Sequence, residues 1–123
     1  PVVIGGHSLG GAMAADYAAR HADQLSGLIL LAAYPPEGVD LTRTSFGSLS
    51  LLAEHDQVAA AAKVQAGMTQ LSPSSRLEVI PGAVHAFFGR YGPQQGDGVP
   101  TVRREQAEEA IIERIVDYLS RIA

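Results

Sequence analysis

The sequence contains no cysteine among its 123 residues, and this absence excludes disulfide bonds, thiolate catalysis and cysteine-ligated metals. No apolar run approaches the length that a membrane-spanning helix needs. Positive charge is also scarce, and the net charge of −4 argues against a nucleic-acid partner. The four histidines are scattered without metal-binding spacing, so neither a metal site nor a cofactor is predicted.

What is present indicates one globular domain, because hydrophobic residues make up 46% and charged residues 18% of the sequence. No internal repeat or low-complexity stretch divides it. The first residue is proline and Val2 already belongs to an apolar run, so we expect residues 1–123 to be a partial domain that begins mid-fold. Any signal peptide or anchor would lie upstream, which leaves the compartment open, with the cytoplasm as the default expectation.

Short apolar runs alternate with helical patterns along the chain. The predicted strands are Val2–Gly5, Leu28–Ala33, Phe46–Ala53 and Arg76–Ile80. The predicted helices begin near Leu9, span Val58–Leu71 and follow a cap at Thr101; the last one carries an apolar face of Ala107, Ile111, Ile115, Leu119 and Ile122. This alternation predicts an α/β fold with a parallel sheet of about four strands and helices on both faces.

A glycine-flanked serine follows the first predicted strand. Gly6-His7-Ser8-Leu9-Gly10 fits G-x-S-x-G, the pattern of a nucleophile elbow, although such a turn also connects elements without any chemistry. The elbow strains the backbone, so we expect a positive φ at Ser8, and side chains at Gly6 and Gly10 would crowd the turn. The helix that follows directs free N–H groups toward the serine, and the Leu9 N–H is a candidate oxyanion donor.

Ser8, Asp56 and His85 each follow a different predicted strand, where the functional residues of parallel sheets gather. A serine hydroxyl needs a base within hydrogen-bond reach, and we predict that His85 is this base and that Asp56 orients its ring. The order Ser, Asp, His along the chain is the order of α/β-hydrolases. Glu54 is an alternative acid near the same strand end, whereas Asp97 follows His85 and breaks the order.

Three segments together carry a family resemblance: GGHSLGG, LLAEHDQV and IPGAVHAFFGRYGPQQGDG. They resemble the α/β-hydrolase superfamily, and most of all its small bacterial members whose catalytic histidine is followed by a phenylalanine, a Tyr-Gly pair and a GDG loop. The resemblance implies an eight-stranded, mostly parallel sheet with the order 1-2-4-3-5-6-7-8, of which this chain supplies the last four strands. It also implies that the second oxyanion donor belongs to the absent first half. One departure is Ala53-Glu54, where such families often have a glycine.

Five further residues are candidates for the substrate pocket: His7, Tyr34, Phe87, Arg90 and Tyr91. For His7 the favoured alternative is packing beneath the serine turn, and Tyr34 either lines the pocket or ends its strand. The Gly89–Pro100 loop either shapes the pocket through Arg90, Tyr91 and Asp97 or uses its polar residues for its own backbone, and the second interpretation is favoured.

The sequence therefore predicts a serine hydrolase that cleaves an ester or related small-molecule acyl compound through an acyl-enzyme. Acyl transfer to another acceptor uses the same triad, and a binding or scaffold domain without turnover is the non-enzymatic alternative. Besides the substrate, the expected partner is the absent N-terminal half of the domain, or a second copy paired through an exposed sheet edge.

Overall fold

A computed structural model describes residues 1–122 and shows strands and helices in alternation. The strands are β1 (Val3–His7), β2 (Gly27–Leu31), β3 (Leu49–Ala53) and β4 (Arg76–Ile80), and the helices are α1 (Leu9–Arg20), α2 (Ala61–Gly67) and α3 (Arg104–Ile122). The four strands pair in parallel in the order β1-β2-β3-β4. The predicted α/β fold with a four-stranded parallel sheet is confirmed.

Strand β2 separates two hydrophobic layers. Leu28 and Leu30 pack with Ala15 of α1, whereas Ile29 packs with Ile111 of α3. Because successive side chains of a strand point to opposite faces, α1 and α3 cover opposite faces of the sheet. Burial on both faces explains why the strand is a continuous apolar run rather than an alternating one.

Strands β2 and β3 are shorter than predicted. β2 ends at Leu31 instead of Ala33, because Ala32 has a φ of 50°, outside the range of an extended strand. β3 begins at Leu49, because the Phe46 carbonyl accepts hydrogen bonds from side-chain hydroxyl groups of neighbouring loops instead of joining the ladder.

The last two helices begin later than predicted. Helix α2 starts at Ala61 and not at Val58, because the Val58 N–H is bound by the side chain of Asp56. Helix α3 starts at Arg104, so Thr101 does not cap it; the Thr101 N–H donates to the carbonyl of Gly82 instead. Among residues 1–122, no helix combines the length and the apolarity that a bilayer crossing demands.

The apolar face of α3 departs from the prediction at Leu119, which is 40% exposed, although Ala107 and Ile111 are buried. Each step of four residues overshoots a helical turn by about 40°, so three such steps rotate Leu119 about 120° away from Ala107. Tyr118 faces the sheet in its place: its hydroxyl donates to the Gly47 carbonyl and accepts the Leu28 N–H.

Strand β1 lies at an edge of the sheet, and within residues 1–122 it pairs with β2 alone. Large apolar side chains are exposed beside this edge, with Val2 58%, Leu9 74% and Met13 65% accessible to solvent. The turn that carries Ser8 connects this edge strand to α1 and therefore lies at the boundary of the described structure.

Candidate active site

Ser8 occupies the turn between β1 and α1 in a strained backbone conformation, with φ 56° and ψ −123°. A positive φ at a non-glycine residue costs about 1–3 kcal/mol and persists only where its surroundings impose it. Here the Ser8 N–H donates to the Leu31 carbonyl at 3.0 Å, and the Ser8 carbonyl accepts the N–H groups of Gly11 and Ala12. The predicted strain at Ser8 is confirmed.

The glycines around this turn differ in their importance. A Cβ atom on Gly6 would overlap the backbone of Gly10, and a Cβ on Gly11 would lie 2.5 Å from the Cβ of Ala33. A Cβ on Gly10 would meet no atom within 4 Å. The prediction that Gly10 is needed for lack of space is therefore wrong for this chain, and Gly11 takes that role because α1 packs closely on the end of β2.

Asp56 and His85 form a fully buried pair at the carboxyl ends of β3 and β4. The Asp56 Oδ2 lies 2.8 Å from the His85 Nδ1, and both side chains are 0% exposed. The second carboxylate oxygen accepts the N–H groups of Val58 at 2.8 Å and Ala59 at 2.7 Å, so the acid is fixed at both oxygens. A carboxylate at Nδ1 keeps the proton of a neutral imidazole on that nitrogen and leaves Nε2 as an acceptor.

The other ring nitrogen, His85 Nε2, is buried and has no hydrogen-bond partner within residues 1–122. No hydrogen bond joins it to the Ser8 hydroxyl, so the structure links His85 to Asp56 but not to Ser8. Such contacts are often long in substrate-free sites and tighten when substrate binds.

The two alternative acids contact backbone groups rather than the His85 ring. Glu54 Oε1 accepts the Gly82 N–H at 2.7 Å. Asp97 accepts the backbone N–H groups of His85 at 3.1 Å and Ala86 at 2.9 Å. Within residues 1–122, Asp56 is the carboxylate that hydrogen-bonds the imidazole. No group of three or more His, Asp or Glu side chains in this part of the chain is arranged to hold a metal.

His7 packs beside the His85 ring, with a distance of 4.6 Å between the ring centroids. The ring centroids of Phe88 and Tyr91 lie 5.9 Å and 5.8 Å from that of His7. Burial is the main cause that lowers the pKa of His7, and the adjacent His85 lowers it further, so His7 is neutral near pH 7. Of the candidate pocket residues, His7 and Tyr91 therefore lie in this aromatic cluster.

A pocket of about 350 Å³ opens directly beside Ser8. Its lining is almost wholly apolar and consists of Ser8, Leu9, Ala12, Ala32, Ala33, Tyr34, Pro36, Val58 and Ala59. Tyr34 is the sequence-predicted pocket residue found here. Phe87 lies instead beneath the guanidinium of Arg104, and Arg90 bonds Glu108 at 2.7 Å on an exposed surface.

Sequence reasoning missed most of this lining, notably Ala32, Ala33 and Val58. The available signal was their position, since each follows the carboxyl end of β2 or β3, the same edge at which the site was predicted. Small apolar side chains form no chemical motif, so only their position after a strand end could have indicated that they line the pocket.

A family model described as "Alpha/beta hydrolase family" matches residues 1–109. The chain belongs to this family. The predicted superfamily membership is thereby confirmed. No curated protein matches this alpha/beta hydrolase chain.

Two solved structures resemble the alpha/beta hydrolase chain. One is a predicted CIB-like hydrolase from Thermoplasma acidophilum, with a TM-score of 0.69 and 24% identity over 95% of this chain and 49% of that one. The other is an alpha-beta serine hydrolase homologue from Coxiella burnetii, with a TM-score of 0.57 and 30% identity over 72% of this chain and 42% of that one. The chain thus spans about half, or less, of each of these structures.

Proposed function

We propose that the protein is a serine hydrolase that cleaves an ester or related acyl compound through an acyl-enzyme on Ser8. The observation that carries this proposal is the buried Asp56–His85 pair. The His85 Nε2 has no hydrogen-bond partner within residues 1–122, and the His85 ring lies 4.6 Å from the ring of His7, which directly precedes the strained Ser8. Membership of the alpha/beta hydrolase family supports it.

In the proposed reaction the Ser8 hydroxyl attacks the acyl carbonyl while His85 Nε2 takes the hydroxyl proton. The imidazolium that forms is stabilised by the Asp56 carboxylate at its Nδ1. It then gives the proton to the departing alcohol oxygen, which leaves the acyl group on Ser8. Water, deprotonated by the same nitrogen, then attacks the acyl carbonyl carbon. The imidazolium gives this proton to the departing Ser8 oxygen, so the bond to Ser8 breaks, the carboxylic acid leaves and the hydroxyl is restored.

The negative oxygen of the intermediate requires donors that are already in place. The Leu9 N–H belongs to the first turn of α1, where backbone N–H groups have no partner within the helix and the helix dipole is positive. We assign it as one oxyanion donor. A second donor would come from the N-terminal half that the sequence resemblance implies.

The pocket beside Ser8 suggests the chemical class of the acyl group. Its 350 Å³ volume and its alanine-rich lining favour an uncharged, apolar acyl chain over an acidic or sugar-like one. Tyr34 contributes the largest side chain of this lining, so Tyr34→Ala is expected to shift preference toward longer acyl chains. The measurement is kcat/KM along a series of p-nitrophenyl esters.

A fluorophosphonate probe tests the proposed function, because it labels serines that a neighbouring base activates. Labelling is expected at Ser8 in the whole protein that contains this chain, located by peptide mass spectrometry, and is expected to vanish in His85→Ala. A folded protein that the probe does not label would contradict the proposal. Product analysis with added alcohol then separates hydrolysis from acyl transfer.

We propose that the N-terminal half of the same domain covers the β1 edge. When residues 1–123 are expressed alone, two copies of the chain pair through this edge instead. The exposed Leu9 and Met13 and the unpaired side of β1 motivate this proposal. Size-exclusion chromatography of residues 1–123 should show self-association, and Met13→Lys should weaken it. The esterase activity of residues 1–123 should be low, because one lost oxyanion donor costs about 10²–10³ in rate. A fully active monomer would contradict it.

A further inference from the structure

The short 3₁₀ turn His85–Phe88 carries the proposed base, and a carboxylate lies at its start. Asp97 Oδ1 accepts the His85 N–H at 3.1 Å, and Asp97 Oδ2 accepts the Ala86 N–H at 2.9 Å. The Gly98 N–H, at 2.8 Å, holds the same carboxylate from its own loop. Both oxygens are therefore committed to backbone donors, and two of these donors belong to the turn.

A guanidinium lies at the other end of the turn. Arg104 Nη1 donates to the Gly89 carbonyl at 2.6 Å and Nη2 to the Ala86 carbonyl at 3.5 Å, while the group lies 4.9 Å above the Phe87 ring. Arg104 is the first residue of α3, which is fixed to the sheet by its buried Ala107. The guanidinium is thus anchored to a rigid element.

The signs of the two charges suit the two ends of the turn. Backbone N–H groups without partners at the start of a helical turn attract an anion, and carbonyl groups at its end attract a cation. Burial raises the pKa of Asp97, but its bonds to the N–H groups of Ala86, Gly98 and His85 outweigh this and lower the pKa below its ordinary value. The carboxylate is accordingly charged at neutral pH.

We propose that Asp97 and Arg104 are positioning residues that fix the backbone of His85, a role that rests on the proposed function. The ring is attached at two places, through its Cα to the turn and through Nδ1 to Asp56. With both places fixed, the direction of Nε2 is fixed. A free turn would let that nitrogen move, and a misplacement of about 1 Å can cost about 10²-fold in rate.

The first test replaces the carboxylate by its amide. Asp97→Asn keeps the size but presents an NH₂ group toward one of the two N–H groups, so kcat per titrated active site should fall about 10–100-fold with KM nearly unchanged. Asp97→Glu, which keeps the charge, should recover part of the loss. Asp40→Asn is the matched control, because Asp40 accepts bonds from Thr42 on an exposed loop, and it should leave kcat unchanged.

A second pair of variants tests the other end of the turn. Arg104→Gln should lower kcat by a smaller factor than Asp97→Asn, since the carbonyl groups that it leaves can be hydrated at this half-buried position. Arg103→Gln changes the neighbouring, exposed arginine and should have no effect. If Asp97→Asn does not fold, equal kcat values in these two arginine variants would overturn the proposal.

Amide hydrogen exchange separates this proposal from the proposed function. In Asp97→Asn the His85 and Ala86 amides should exchange about tenfold faster or more, as loss of a charge-assisted hydrogen bond implies, while the amides of β2 keep their rates. If the wild-type protein is not labelled by a fluorophosphonate, the proposed function fails, and the exchange rates still report on the turn. Unchanged exchange and unchanged kcat in Asp97→Asn would overturn the positioning role.

Discussion

The Asp56–His85 pair and the Ser8 turn differ in how much of their surroundings this chain provides. The two side chains of the pair are fully buried, and the carboxylate is bonded at both oxygens. The Ser8 turn connects an edge strand to α1, and the neighbouring Leu9 is 74% exposed. Both regions stand at the carboxyl ends of strands in the same sheet, so the end of the sheet on which they lie does not explain the contrast.

The difference indicates that this chain alone encloses the proposed acid and base, whereas it leaves the turn of the proposed nucleophile at the boundary of the described structure. β3 and β4 are adjacent, and the loops that follow them are joined by hydrogen bonds from the His55 N–H to the Ala83 carbonyl and from the Gly82 N–H to Glu54, which helps to enclose the pair. Within residues 1–122 both β1 and β4 are edge strands, so the enclosing loops, and not the number of paired strands, distinguish the two regions. The following variants test how independent the two regions are.

The largest effect is expected at the serine. Ser8→Ala in the whole protein removes the proposed nucleophile and should lower kcat about 10⁶-fold, because triad members act as a unit. Ser45→Ala, at an exposed serine far from the site, is the control. Ester turnover and probe labelling measure both variants, and retained labelling in Ser8→Ala would assign the nucleophile elsewhere.

The buried pair should give the second largest effect. Asp56→Asn keeps an oxygen for the N–H groups of Val58 and Ala59 but turns an NH₂ group toward Nδ1, which moves the imidazole proton to Nε2. Turnover should fall about 10⁴-fold because that nitrogen can no longer accept a proton. Steady-state kinetics beside Asp40→Asn measures the change, and unimpaired turnover would remove Asp56 from the mechanism.

The packing beneath the turn should respond more weakly. Gly11→Ala forces a Cβ atom against Ala33 and should destabilise the fold by about 1–3 kcal/mol. Gly10→Ala is its matched partner, since the added Cβ meets open space and alanine favours the helix by about 1 kcal/mol. Urea unfolding compares the two, and equal losses would show that the elbow needs both glycines.

The smallest effect concerns His7, which touches both regions. Its pKa is lowered in the folded state, so the unfolded chain binds this proton more readily, and stability should decline as the pH falls below about 6.5 toward the lowered folded value. The slope for one proton is at most about 1.4 kcal/mol per pH unit. His7→Phe should flatten this part of the stability curve and leave a constant offset above pH 8; parallel curves would contradict the assignment.

The sequence by itself determined the α/β fold and the family. The continuous apolar run of β2 reflects burial on both faces, and Gly6 reflects a turn without room for a side chain. The order of serine, acid and histidine reflects three strand ends that follow one another along the chain. Strand β4 spans Arg76–Ile80 as predicted. It ends there because Pro81 has no backbone N–H to donate to a neighbouring strand.

Only the tertiary structure decided which groups meet. Chain order favours Asp56 over Asp97, but no local pattern shows that Asp56 bonds the His85 ring while Asp97 bonds the backbone of the same residue, because both contacts depend on how separate loops pack. The same reason applies to Gly11, whose neighbour Ala33 lies in the loop after β2, and to Leu119, whose place on the sheet is taken by Tyr118. Long-range packing selects among residues that local chemistry makes equivalent.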